Sequence, residues 1–161
     1  MPDFAARLLV HPANRALIEY LSRSKDGSRW ADERCCSPSL VDKPHYSLGT
    51  HPDCVEFFWD KLGSYLPEDC RWVVWDTPVL INRTSSVIFA FGCGTSYCLR
   101  LAHSDFRAAL DKGYVSEHIF GHNTLLRVSD FGDTWVFGKF KADETDWIKR
   151  AYEGASSVES A

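Results

Sequence analysis

Two cysteines and three histidines in the second half of the chain are the residue types that could do nucleophilic or metal chemistry. In F-G-C-G-T-S-Y-C, residues 91–98, Cys93 stands between Gly92 and Gly94, where it has little steric cover, and Cys98 follows after Thr95, Ser96 and Tyr97. Successive backbone N–H groups in a glycine turn can cradle an anion or lower a thiol pKa. A thiolate nucleophile also needs a base within hydrogen-bond reach, and His103, His118 and His122 are the histidines of this half of the chain. Local cysteine-protease signatures are absent. A cysteine-dependent hydrolase or transferase using Cys93 and one of these histidines is therefore the alternative reading, behind a non-enzymatic one.

Cys93, Cys98 and His103 are evenly spaced, as are His118 and His122 across a turn. Structural zinc sites pair C-x2-C or C-x4-C with a second close pair, which is missing. The stretch S-Y-C-L-R-L-A reads as a strand, which would hold Cys98 and His103 about 16 Å apart. No metal site is expected, and no cofactor. D-F-G at 130–132 lacks the phosphate loop, strand lysine and catalytic loop that give it meaning in a kinase, so it is a turn. N-R-T at 82–84 matches a glycosylation acceptor without consequence in a cytoplasmic chain. Carboxylates such as Asp53, Glu56 and Asp60, or Asp130 and Asp133, carry no second motif marking an acid and base couple, and read as solvated faces.

The elements that must position these residues follow from periodicity. H-P-A-N-R-A-L-I-E-Y-L and T-H-P-D-C-V-E-F-F-W-D-K-L-G read as helices with one buried side; Pro sits in each first turn, Thr50 caps the second, and Gly63 stops it. From residue 71 the period changes to two: R-W-V-V-W, P-V-L-I-N, S-V-I-F-A-F and S-Y-C-L-R-L-A are strands joined by turns short enough to require antiparallel pairing. With Gly92 to Thr95 as a four-residue connection, Cys93 lies at the hairpin tip and Phe89 faces Cys98. S-D-F-R-A-A-L-D-K-G reads as a short helix capped by Ser104; three further strands follow, then an acidic-to-basic helix around Trp147 and Ile148. The expected fold is α+β: one domain over residues 1–154 with a mostly antiparallel sheet of six or seven strands, helices at both chain ends, one short helix between strand groups, and a frayed tail at 155–161.

Residues 24–49 lack sustained periodicity and contain Gly27, Pro38, Pro44 and Gly49 as breakers. Loops this long inside compact domains are usually functional or disordered, and Trp30 and Tyr46 favour an ordered loop or one ordered by a partner. Adjacent Cys35 and Cys36 diverge in direction and cannot easily bridge each other. Trp30, Cys35, Cys36, His45 and Tyr46 are the candidate partner-binding residues, with the two aromatics as anchors.

At 161 residues with 45% apolar and 14% aromatic side chains, the chain can bury a sizeable core. Its net charge of -4, without any Lys/Arg stripe, excludes the electrostatic footprint of nucleic-acid binding. There is no signal-like segment and no run of 18 apolar residues, so a cytoplasmic location and no membrane partner are expected, with the six cysteines mostly thiols. The leading expectation is a soluble, acidic, non-enzymatic binding protein acting on a protein partner. A basic toxin held by an immunity protein is its most specific form.

Overall fold

The computed structural model describes residues 4–24, 35–41, 43–120 and 124–158. It is a mixture of helices and antiparallel strands. Helices α1 (Phe4–Val10) and α2 (Arg15–Ser24) precede the short α3 (Pro44–Ser47) and α4 (Pro52–Cys54), which continues as a π-helix over Val55–Leu62. Strands β1 (Arg71–Val74), β2 (Thr77–Ile81), β3 (Ile88–Cys93) and β4 (Ser96–Arg100) come next, then α5 (His103–Asp111), β5 (Glu117–Phe120), β6 (Thr124–Arg127), β7 (Trp135–Phe137) and α6 (Thr145–Ser156).

The main sheet has five strands in the order β1-β2-β3-β4-β7, every neighbour antiparallel. Among the described residues, strands β5 and β6 pair only with each other, as a separate ribbon. This corrects the expectation of one sheet with six or seven strands: hydrophobic alternation marks a strand but not its partner, and after α5 the ribbon closes on itself before β7 returns beside β4. Residues 155 and 156, expected in a frayed tail, belong to α6, which runs on to Ser156 and buries Ala155; residues 159–161 lie outside the described residues.

Both sheet faces are covered, which is why β2 is buried at all five of its positions. One core cluster joins Val73, Leu80, Tyr97, Leu99 and Val136 to the π-helix and to Ile148 and Ala151 of α6. The other joins Val74, Val79, Phe91, Cys98 and Trp135 to Leu8, Leu17 and Leu21 of α1 and α2. A register shift sets Ile81 opposite Ile88 and Leu80 opposite Ala90, leaving Phe89 as an extra residue. The bulge puts Phe89 and Ala90 in the same cluster, so the strict alternation expected across this strand fails there.

The repeated H-P pairs do the same job twice. His11 and His51 are N-caps whose Nδ1 accepts from Ala13 N–H at 3.0 Å and Asp53 N–H at 3.2 Å, each followed by a proline that lacks the donor a first turn would orphan. Thr50 is therefore not the cap; it lies against β3, where a Cβ on Gly92 would come within 2.6 Å of its Oγ1. Ser104 is not a cap either, since α5 starts at His103 behind Ala102. Asn14, buried, donates to Leu8 O and Ser86 O and accepts from Ile88 N–H, tying α1 to the start of β3. Asn82, the would-be glycan acceptor, is equally buried: it donates to Ser156 Oγ and accepts from Thr84 and Ser85 N–H.

Candidate functional site

Cys93 is the last ladder residue of β3, paired with Ser96, and not a hairpin tip. The turn has two residues, Gly94 and Thr95, with Gly94 at φ +62, as the tight hairpin turns with glycine at the first central position require. Gly92 is needed for close approach to Thr50, not for the turn, and reading both glycines as turn material shifts the expected register by two. Cys98 accordingly sits opposite Phe91 and not Phe89. Cys93 is half-buried beside a cavity of about 120 Å³ lined by Tyr20, Leu21, Leu48, Thr50 and Thr77, with no histidine among the described residues that line it. Burial pushes its thiol up to about 11, so it is protonated at neutral pH and a poor nucleophile.

Of the expected bases, neither His103 nor His118 lines its cavity. His103 is exposed at the start of α5, His118 lies on β5 in the separate ribbon, and His122 lies outside the described residues. His51, from the first half of the chain, does approach: its N–H donates to Gly94 O at 2.7 Å, but its ring is engaged as a helix cap. Among the described residues no group of three or more His, Cys, Asp or Glu could hold a metal, and no helix is long and apolar enough to cross a membrane.

The built site lies instead beside the π-helix. Bonding from i to i+5 widens the turn, and F-F-W at 57–59 is buried in three successive positions, with Trp59 Nε1–H donating to Val79 O at 2.9 Å. The next residue, Asp60, faces outward between two partners: His45 Nε2 donates to its Oδ2 and Arg71 Nη1 to its Oδ1 at 2.9 Å. Arg71 also grips Asp69 with both arms of its fork, Nε to Oδ1 at 3.0 Å and Nη2 to Oδ2 at 3.1 Å. These hydrogen bonds, that to Asp69 first, raise the Arg71 pKa, and the bond from Arg71 lowers that of Asp69. Glu68 accepts from Arg83 N–H and Tyr152 OH. Asp60, Ser64, Glu68, Asp69 and Arg71, over Trp59, line an open cleft of about 500 Å³. π-Helical turns recur at functional sites.

Of the five candidate partner-binding residues, the structure ties His45 to this cleft, through its bond to Asp60. The His45–Asp60 bond anchors α3, and Tyr46, next in the chain, is 79% exposed. Tyr65, next in the chain to the cleft residue Ser64, is 47% exposed. Cys36 exchanges both backbone hydrogen bonds with Val73 at 2.9 Å, on the outer edge of β1. The adjacent cysteines part as expected, Cys35 packing on the α1–α2 cluster and Cys36 on the π-helix cluster. Trp30 lies outside the described residues. No known protein family, curated protein or solved structure matches the chain.

Glu68, Asp69 and Arg71 carry no site expectation from the sequence. Asp60 reads from the sequence as a solvated carboxylate, whereas the structure bonds it to His45 and Arg71. The local signal that could have found them is E-D-C-R at 68–71, a charge cluster that leads straight into a strand.

Proposed function

We propose that the chain is a non-enzymatic binding protein that holds a basic protein partner in the cleft beside the π-helix, a basic toxin being the form that best suits its acidic charge. The observation that carries this reading is the cleft itself: three carboxylates against one cleft arginine, with the exposed Tyr46 and Tyr65 next in the chain to His45, which bonds to Asp60, and to the lining residue Ser64. Tyrosine and a charge-complementary rim are what protein interfaces use as anchor and steering element. The high thiol pKa of Cys93 and the histidine-free lining of its cavity support the non-catalytic half of the reading.

Three variants test it in binding assays with the partner. Tyr46→Ala is expected to weaken affinity at least about fivefold, about 1 kcal/mol, with the fold unchanged by circular dichroism. Asp69→Lys should slow association and flatten its salt dependence, while Cys93→Ala binds normally. Wild-type affinity and on-rate in the Tyr46 and Asp69 variants would remove the cleft from the interface. Loss of the biological effect in Cys93→Ala would restore the enzyme.

A further inference from the structure

A second groove runs along α4 and the π-helix. Asp53, Glu56, Phe57 and Lys61 line it together with Phe140 and Lys141, which follow β7; its volume is about 380 Å³ and it shares no lining residue with the cleft. The floor is aromatic. Phe57 and Phe140 meet edge to face, ring centres 5.3 Å apart at 81°, and Phe57 is buried against Tyr97 of the core, 5.9 Å between centres. Above this floor stand four exposed charges, two of each sign, and none of them forms an ion pair with a described residue. Each ammonium group lies over a ring instead: Lys61 Nζ is 5.8 Å from the centre of Phe57, and Lys141 Nζ is 5.3 Å from that of Phe140.

The charges are ordered along the helix. Asp53 is in the first turn of α4 and Glu56 in the first turn of the π-helix, whereas Lys61 is in its last turn, with Phe57 between the acids and the lysine. Glu56 and Lys61 are an i, i+5 pair, one bonding step of a π-helix, so both side chains reach the same stretch of groove. A ligand with a single charge meets as many like charges here as opposite ones and gains little. A ligand that carries both signs next to a flat apolar group meets an opposite charge at each end and an aromatic surface beneath. The volume is within the range of small-molecule sites, about 300–1,000 Å³.

We propose that this groove binds a free aromatic α-amino acid as its zwitterion, with the ring on Phe57 and Phe140, the α-ammonium at Asp53 and Glu56, and the α-carboxylate at Lys61 and Lys141. Phenylalanine is titrated into the 15N-labelled protein at pH 7 and constant ionic strength, and the amide signals of Phe57 and Phe140 are followed. Phenylacetate, phenethylamine and alanine, which lack the ammonium, the carboxylate and the ring in turn, are titrated in parallel. The expected result is a saturable shift with phenylalanine, Kd about 1 mM as suits an open groove, and binding at least about tenfold weaker for each of the other three. Glu56→Gln and Lys61→Gln should each weaken phenylalanine about threefold, the size of effect exposed charges have. Glu56→Gln should not weaken phenylacetate, and Lys61→Gln should not weaken phenethylamine. Shifts that do not saturate, alanine or either single-charge compound binding as tightly as phenylalanine, or wild-type affinity in both variants would overturn the site. Both replaced side chains are exposed and unpaired, so the variants are expected to fold, and the wild-type comparison of the four compounds decides without them.

Discussion

Replacing Glu144 tests the most concentrated polar contact of the fold. Glu144 is 0% exposed; its Oε1 accepts from Tyr97 OH at 2.9 Å and from Lys139 N–H, and its Oε2 from Tyr114 OH. One carboxylate thus ties β4, the segment after α5, the segment after β7 and the start of α6. Glu144→Ala strands two sealed hydroxyls and a partly buried amide, each costing about 1–3 kcal/mol, so a loss of about 4 kcal/mol is expected. Glu144→Gln keeps one oxygen acceptor and turns an NH2 toward a tyrosine hydroxyl able to accept, and it removes a buried charge; its loss should be about 1–2 kcal/mol. Urea unfolding at pH 7, followed by tryptophan fluorescence, reads both. With a slope of about 2 kcal/mol/M, the alanine variant's midpoint falls by about 2 M. Tyr114→Phe should cost much less on the alanine background than in wild type, because its acceptor is already gone. An alanine variant within about 1 kcal/mol of wild type, or equal losses in both variants, would refute the account of Glu144 as the acceptor that holds these elements.

Gly138→Ala should lower stability by about 3 kcal/mol in the same urea assay, since its Cβ would fall 2.2 Å from the Tyr97 ring, which is stacked on Phe58 and bonded to Glu144 and so has nowhere to move; a neutral substitution would mean that the ring yields. Alkaline pH should unfold the protein in a set window. Burial raises the thiols of Cys54 and Cys70 to about 12 and that of Cys93 to about 11, against 9.0 for a free thiol, and the tyrosines Tyr97 and Tyr114 are raised above 10.0. The folded state therefore favours the protonated forms, and stability is complete below pH 9 and falls as pH rises above it. Each buried thiol removes about 1 kcal/mol per pH unit until its folded pKa is reached. Urea midpoints under reducing conditions between pH 8 and 11 measure this, and a flat profile would contradict burial of these groups.

Strand positions were legible because β-branched and aromatic runs between Gly, Pro and Asp turns have few other readings. Pairing was not. The extra residue at Phe89, the two-residue turn after Cys93 and the closed β5–β6 ribbon are all decided by what lies across the sheet, such as Thr50 against Gly92. Helix α1 had no expectation, since A-A-R-L-L-V offers no cap and too few turns for a period. Of the cleft, His45 could be singled out as unusual in a loop. Its union with Asp60 and Arg71 spans 15 and 11 residues and depends on a π-helical turn that no residue type announces.

The single-residue bridge between Cys36 and Val73 bears on how molecules of this protein meet each other at high concentration. On β1 the residues facing away from β2 are Arg71 and Val73, because Ile81 N–H bonds to Cys70 O and Pro78, opposite Val73, has no N–H to give. Cys36 takes both groups of Val73, and the Asp69 side chain takes the Arg71 N–H. An open sheet edge is a template on which a second chain can add a strand and begin a fibre. Here the segment before α3 covers Val73 on that template, so a bulky adduct on Cys36 that lifted the segment away should expose the edge to strand-by-strand aggregation, which light scattering would read.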